Sequence, residues 1–214
     1  MCIFKYKHFD ELFCLYNKIG IETISHVENV SKIMNIFVSH LKTIDKYSEL
    51  IKFDTNILVT ASLLHDIGKV NIPLSILNSK EPLTKDEREI IKLHTLYGKN
   101  IVDSKINELS ITNSANIEEI KMLKIASDMC LMHHEKVDGT GYLNNLSANQ
   151  IPLYVRILSI ADSVEAMSAK RIYKPSYSVD KMISILKEES GKQFNEFLVK
   201  EFLSIQDEWE PILY

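Results

Sequence analysis

The sequence predicts an all-α fold, a single-domain helical bundle of about seven helices. Three observations point there. Apolar residues recur at helical spacing along nearly the whole chain, runs alternating at period two are scarce, and capping signals stand ahead of several apolar stripes.

The longest stripe is Ile24, Val27, Val30, Ile33, Met34, Phe37, Val38 and Leu41. Before it, Lys5, Lys7, Asp10, Glu11 and Lys18 interrupt the apolar residues, so the start of the chain is not a signal peptide. Residues 1–20 are read as an N-terminal helical extension and residues 21–210 as the main domain. Asn56 is placed to cap a second helix through Ile57, Leu58, Ala61 and Leu64, with Gly68 as its C-terminal glycine. Thr84 and Glu87 form a capping box ahead of Ile90, Ile91, Leu93 and Ile101, which predicts one helix across all four. Asn116 and Glu119 make a second box before Ile120, Leu123, Ile125 and Ala126. Pro152 opens a helix through Ile157, Leu158, Ile160, Ala161 and Val164. Ser178 starts a helix ending at Gly191, and Asn195 caps the last one, through Leu198, Phe202 and Leu203. Residues 70–83 and 135–151 are the long irregular segments. A stretch around 103–115 carries no readable motif and is read as a surface loop.

Composition narrows the function. A content of 45% hydrophobic and 25% charged residues is that of an ordinary globular protein, able to bury a core without staples. The net charge of −4, with no basic stripe, argues against DNA or RNA binding through phosphates. An anionic substrate must then be met locally, by metal ions and a few Lys or Arg. Cys2, Cys14 and Cys130 are odd in number and form no CxxC pair, which argues for a reducing compartment and against a disulfide framework or thiolate zinc site. No stretch reaches the length of a membrane span. A soluble, cytoplasmic protein is expected.

Of seven histidines, five fall into a pattern: His26, His65, His94, His133 and His134. His8 and His40 read as bystanders. The His65-Asp66 pair follows an apolar helix, where burial demands a partner for each group; a core salt bridge answers that demand as well as a metal does. His133-His134 precedes a loop with Gly139 and Gly141, and two adjacent imidazoles reach one ion only near a helix end. Both pairs stand at predicted helix C-termini, whose partial negative charge favours a cation. Glu22 and His26, four apart, share a helical face. His94 and Asp162 lie on separate helices, and for Asp162 alone a cap or salt bridge is the plainer reading. Together the set offers imidazole and carboxylate without thiolate, a mix that suits Fe, Mn, Zn or Ni.

These residues resemble a known family. His65-Asp66-Ile67-Gly68-Lys69 is similar to the HD-x-GK motif of the HD phosphohydrolases, and His133-His134-Glu135-Lys136-Val137-Asp138-Gly139-Thr140-Gly141-Tyr142 to the HHExxDGxGYP signature of the HD-GYP subfamily. Ile72-Pro73, Leu83-Thr84, His94 with Gly98, Ile151-Pro152-Leu153, Arg156-Ile157 and Ala161-Asp162 support it. The resemblance implies an HD-GYP-type fold and an enzyme hydrolysing cyclic di-GMP to the linear dinucleotide, to GMP, or to both. It implies His26, His65, Asp66, His94, His133, His134 and Asp162 as metal ligands, with Asp66 bridging, and Glu22 as the ligand of a third ion. Two or three divalent ions are implied, iron or manganese first, zinc or nickel as alternatives. By the same resemblance Lys69, Arg171 and Lys174 contact substrate phosphates, while Gly139, Gly141 and Tyr142 shape the pocket mouth. The expected reaction is in-line attack by a hydroxide held between the ions near Asp66, with Lys69 stabilising phosphate oxygens or assisting the leaving group.

The chain departs from the pattern at Leu143 and Ile172, where prolines are usual, and at Glu165, where aspartate is common. Substrate preference is therefore open towards cyclic GMP-AMP or a guanosine alarmone. A catalytically weak cyclic-dinucleotide-binding module is a further alternative. Expected partners are the cyclic dinucleotide, and a homodimer mate or a signalling protein.

Overall fold

In the computed structural model, residues 6–169 and 176–213 are described. Among them there is no strand, only two isolated bridges, Asp138 with Ser147 and Ser190 with Phe194. The α-helices are α1 (Lys7–Phe13), α2 (Ile21–Leu41), α3 (Thr55–Ser62), α4 (Leu74–Leu77), α5 (Lys85–Lys92), α6 (His94–Thr112), α7 (Ile117–Met132), α8 (Leu153–Ser168), α9 (Val179–Glu188), α10 (Glu196–Ser204) and α11 (Gln206–Trp209). Short 3-10 turns at Cys14–Lys18, Asp45–Lys52 and Ile67–Asn71 connect some of them.

The architecture is all-helical, as the periodicity predicts, but the described residues hold eleven α-helices rather than seven. Two of the additions, α4 and α11, are single turns, too short for a periodic signal, while α1 falls in the stretch read as a helical extension. Another arises because the predicted helix from Thr84 is two. The Thr84–Glu87 box forms as expected, but Leu93 turns tightly, its N–H bonding Ile90 O at 3.1 Å, and α6 restarts at His94. The turn re-aims the chain so that His94 faces inward. The stretch 103–115 is helical up to Thr112, where Asn113 stops it in the left-handed conformation (φ 49). Its apolar residues are too few for a stripe, which is why it reads as loop.

Capping explains the other boundaries. The N-cap of α3 is Asp54, not Asn56; its carboxylate accepts from the Asn56 N–H at 2.9 Å. Asn116 caps α7, yet the box is half-made, because Glu119 turns away to accept from the His8 N–H at 3.0 Å. Ser178 and Asn195 cap α9 and α10. Gly68 is not a C-cap. It lies in the Ile67–Asn71 turn, where a Cβ would come within 1.9 Å of His94 O and 2.4 Å of Gly98 N. The glycine lets that turn lie directly on α6.

The helix α2 is the central element. Val27, Val30, Met34, Phe37, Val38 and Leu41 are fully buried, the i, i+3, i+4 face expected of an amphipathic helix. It packs against α3 and α8, while α7 packs against α3 and α6, and α6 against the Ile67–Asn71 turn. Each such side chain contributes about 1.5–3 kcal/mol on burial. Phe202 of α10 packs edge-on to Phe37 at 5.0 Å and stacks on Trp209 at 4.9 Å, closing the C-terminal corner. Phe9, Leu12 and Tyr16 from the start of the chain are buried in the same core. Among the described residues no helix is long and apolar enough to cross a membrane.

Candidate metal centre

Five short stretches converge inside the helical shell. The helix α2 brings His26, the turn after α3 brings His65 and Asp66, α6 opens with His94, the end of α7 brings His133 and His134, and α8 brings Asp162 and Glu165. His65, Asp66, His94 and His133 are buried to 3% exposure or less, and Asp162 to 9%.

Asp66 lies at the middle. Its Oδ1 is 3.3 Å from His94 Nε2 and 3.9 Å from His133 Nε2. Its Oδ2 is 3.5 Å from His26 Nε2 and 3.6 Å from His65 Nε2, and it accepts from Lys69 Nζ. Asp162 Oδ1 is 3.1 Å from His26 Nε2 and 3.8 Å from His65 Nε2. Three overlapping groups have ligand atoms within 4.8 Å of one another: His94, His133 and His134; His26, His65 and Asp66; and His65, His133 and Asp162.

The backbone sets the tautomers. His65 Nδ1–H donates to Ser62 O at 2.8 Å, His94 Nδ1–H to Ile91 O at 2.7 Å, and His133 Nδ1–H to Met129 O at 2.9 Å. His26 Nδ1–H donates to Glu165 Oε2. In His65, His94 and His133 the Nε2 is then left as a lone pair aimed at the carboxylates, the orientation that outer hydrogen bonds impose on metal-binding histidines. Two consequences fit a cation and fit little else. His65 Nε2 is buried with no hydrogen-bond partner. His94 Nε2 and His133 Nε2 face each other at 3.2 Å, although neither has a proton left to share.

The electrostatics agree. Burial pushes the His65 and His94 imidazoles below their ordinary pKa, and burial with the neighbouring imidazoles pushes His133 well below it. Burial also lowers His134, to about 4. These rings are neutral at neutral pH and free to act as ligands. Burial opposes ionisation of Asp66, but Lys69 and the surrounding histidines hold its carboxyl well below the usual range. Burial opposes Asp162 likewise, and the His26 hydrogen bond overcomes it, so Asp162 is also held low. Burial would lower His26 too, but its bonds to Asp162 and Glu165 outweigh that and raise it to about 9. A proton on His26 thus occupies the place of a positive charge that the carboxylates demand.

Two carboxylates matter here that the sequence reading gave no role. Glu165, noted only as a departure from the pattern, is buried and orients His26. Its place one turn beyond Asp162 was the available signal. Glu135 is buried and accepts from the Asn144 N–H at 2.7 Å and the Leu146 N–H at 2.9 Å, bracing the loop after the histidine pair. Gly141 lies against that brace, where a Cβ would come within 2.5 Å of Glu135 Cα. Gly139 occupies a turn at φ 81 whose N–H bonds Lys136 O at 2.9 Å, so its part is to bend the loop. Tyr142 stacks on His134 at 4.9 Å and forms a wall of the site, with Lys92 Nζ 5.5 Å from its ring. Glu22 is exposed on the first turn of α2, and none of the three ligand groups includes it. Arg171 and Lys174 lie outside the described residues. His8 pairs with Glu119 at 3.2 Å and His40 with Glu201 at 3.3 Å, both apart from the centre.

Residues 24–197 match the HD domain family, and the chain belongs to it. A cyclic di-GMP phosphodiesterase of Vibrio cholerae is 33% identical over 192 residues, 89% of this chain and 37% of the relative. A 3'3'-cGAMP-specific phosphodiesterase 2 of the same organism is 32% identical over 181 residues, 81% of this chain and 32% of the relative. The chain therefore spans well under half the length of these relatives. The HD domain of the L. monocytogenes phosphodiesterase PgpH, solved with cyclic-di-AMP, superposes with a TM-score of 0.58 at 18% identity, covering 94% of this chain and 95% of that one, and shares its fold.

Proposed function

We propose that this chain is a metal-dependent phosphodiesterase that hydrolyses cyclic di-GMP to the linear dinucleotide, to GMP, or to both. The observation that carries the metal dependence is the division of Asp66: one carboxylate oxygen faces His94 and His133, the other His26 and His65. We assign His94, His133 and His134 with Asp66 to one ion, and His26, His65 and Asp162 with Asp66 to a second. Glu22 is exposed and outside these groups, so the proposal commits to two ions. Iron or manganese suits the imidazole–carboxylate donor set. The substrate is carried over from the cyclic di-GMP phosphodiesterase relative, over most of this chain's length.

When bound, divalent ions there supply Lewis acidity and lower the pKa of water. The chain's own groups do the rest. Asp66 is ionised and held by the ammonium of Lys69, whose side chain is 26% exposed. It is placed to donate to a non-bridging phosphate oxygen as charge builds on it. His134 and Tyr142 present a flat stacked wall to an incoming nucleotide. The braced 135–151 loop keeps that wall in place, which limits the freedom lost on binding. We assign Arg171 and Lys174 to the substrate phosphates on sequence grounds alone. A cytoplasmic location accords with a free, buried Cys130.

A second reading is hydrolysis of 3'3'-cyclic GMP-AMP, favoured by the relative of that stated specificity. Incubating metal-loaded protein with each cyclic dinucleotide and following products by chromatography decides between them. Release of linear dinucleotide or GMP from cyclic di-GMP supports the proposal. Tight binding without product from either nucleotide contradicts it.

A further inference from the structure

The turn between α5 and α6 carries a cation to the edge of the site. Lys92 is the last residue of α5 and stands two residues before His94. Its backbone is fixed across the Leu93 turn: Lys92 O accepts from the hydroxyl of buried Thr95 at 3.0 Å, beside the Ile91 O that orients His94. Its ammonium lies over the ring of Tyr142, 5.5 Å from the centroid, within cation–π range. Glu89, one helical turn back, accepts from the same ammonium at 2.6 Å. The Lys92 side chain is 34% exposed, so a ligand in the site can reach it. Tyr142 in turn stacks on His134 at 4.9 Å with an interplanar angle of 27° and is only half-buried.

An aromatic wall with a hydrogen-bond donor at its rim is an arrangement that holds a flat base. Stacking alone accepts every base, because each has a π-face. The donor separates them. Guanine presents two acceptors on one edge, N7 and O6, where adenine presents the N7 acceptor beside the N6 amino donor. An ammonium has donors and no acceptor, so it satisfies the guanine edge and meets the adenine amino group with like polarity.

We propose that Lys92 selects guanine, donating to O6 and N7 of the base that stacks against the Tyr142–His134 wall, while Glu89 holds the ammonium at the rim. The proposal rests on the cyclic-dinucleotide reading above and adds to it a residue that decides between guanine and adenine nucleotides.

Lys92→Gln removes the charge and supplies an amide that pairs with adenine N6 and N7. Lys121→Gln is the matched control, since Lys121 lies over the Phe53 ring at 4.9 Å, on α7 about three turns before His133. Base preference is read twice. One measure is the ratio of kcat/KM for cyclic di-GMP over cyclic di-AMP on metal-loaded protein. The other, independent of turnover, is the ratio of AMP to GMP dissociation constants by calorimetry. Both ratios should favour guanine in the unmodified chain and fall about 10-fold or more in Lys92→Gln, through KM rather than kcat, with Lys121→Gln unchanged. A role confined to general charge or helix stability shifts both nucleotides alike; ratios left where they were would overturn the proposal. So would an unmodified chain that binds GMP and AMP equally. If the unmodified chain prefers GMP, and loses that preference in Lys92→Gln, but cleaves no cyclic di-GMP, the function reading fails and the base selection stands.

Discussion

Glu165 accepts the Nδ1 proton of His26 from one turn beyond Asp162, so α8 touches the same imidazole at both of its nitrogens. One helix therefore supplies a carboxylate facing the cavity and a second that fixes the ring between them. Glu165→Ala strands a buried Nδ1–H and frees the ring to turn. Metal affinity should fall about 10–100-fold, as for other outer-shell partners. Glu165→Asp, which keeps a carboxylate on the same turn, should recover most of it. Chelator competition on both variants checks this; equal affinities for Glu165→Ala and the unmodified protein would refute the role.

Lys69 should separate catalysis from assembly. Its ammonium pairs with Asp66 but is not among the ligand atoms. Lys69→Gln should lower kcat about 100-fold, the scale of losing one charge-stabilising donor. Metal content should stay the same or rise, because Asp66 loses a competing cation. A parallel fall in metal content and kcat would place Lys69 in assembly instead.

Removing the metal should make stability strongly pH-dependent. Burial keeps His65, His94, His133 and His134 from protonating in the fold, His134 down to about 4. The unfolded chain protonates them near about 6.5. It then binds more protons than the fold, so stability rises with pH across that window and falls as pH drops from about 6.5 towards 4. Asp66 and Asp162, also held low, add further loss below about 4. His26 acts with the opposite sign. Its pKa is raised to about 9, so its contribution is complete below about 6.5 and fades as pH climbs through 9. Urea midpoints of chelated protein from pH 4 to 9 should trace a dome; a flat line below 6.5 would contradict the burial of neutral histidines.

Gly68 tests how closely the Asp66 turn must approach α6. A Cβ there meets His94 O at 1.9 Å and Gly98 N at 2.4 Å, both backbone atoms that cannot rotate away. Gly68→Ala should destabilise by at least about 3 kcal/mol, the upper range for overpacking, and should weaken metal binding by shifting His94. At Gly191, φ is 78 and no neighbour lies within 4 Å. There alanine should cost only about 1–2 kcal/mol, from the left-handed backbone, and leave metal affinity alone. Denaturant melts of the two variants make the comparison.

The candidate cluster was legible in the sequence because metal chemistry restricts residue type. His65-Asp66 and His133-His134 both follow apolar helices, where burial demands partners, and the five histidines and two aspartates do meet in the fold. Helix periodicity exposed α2 and α8 for a similar reason, since a buried stripe must be apolar. What was hidden depends on contacts between distant segments. Asp54 outcompeted Asn56 as a cap by two residues, a margin within which both types look alike. The break at Leu93 leaves no proline or glycine behind. Gly68 resembled a helix stop, whereas its purpose is to admit α6, and nothing local to it says so. Glu22 shares a helical face with His26 by spacing, but spacing does not tell the buried end of a face from its exposed end.

The count of bound metal, with and without the Asp66 carboxylate, tests the central claim most directly. Protein stripped with chelator and reloaded without oxygen should take up two transition-metal ions per chain, and Asp66→Asn no more than one, in a fold of unchanged helical content. No stoichiometric uptake by the unmodified chain, or the same two ions held by the Asn variant, would contradict a centre organised around Asp66.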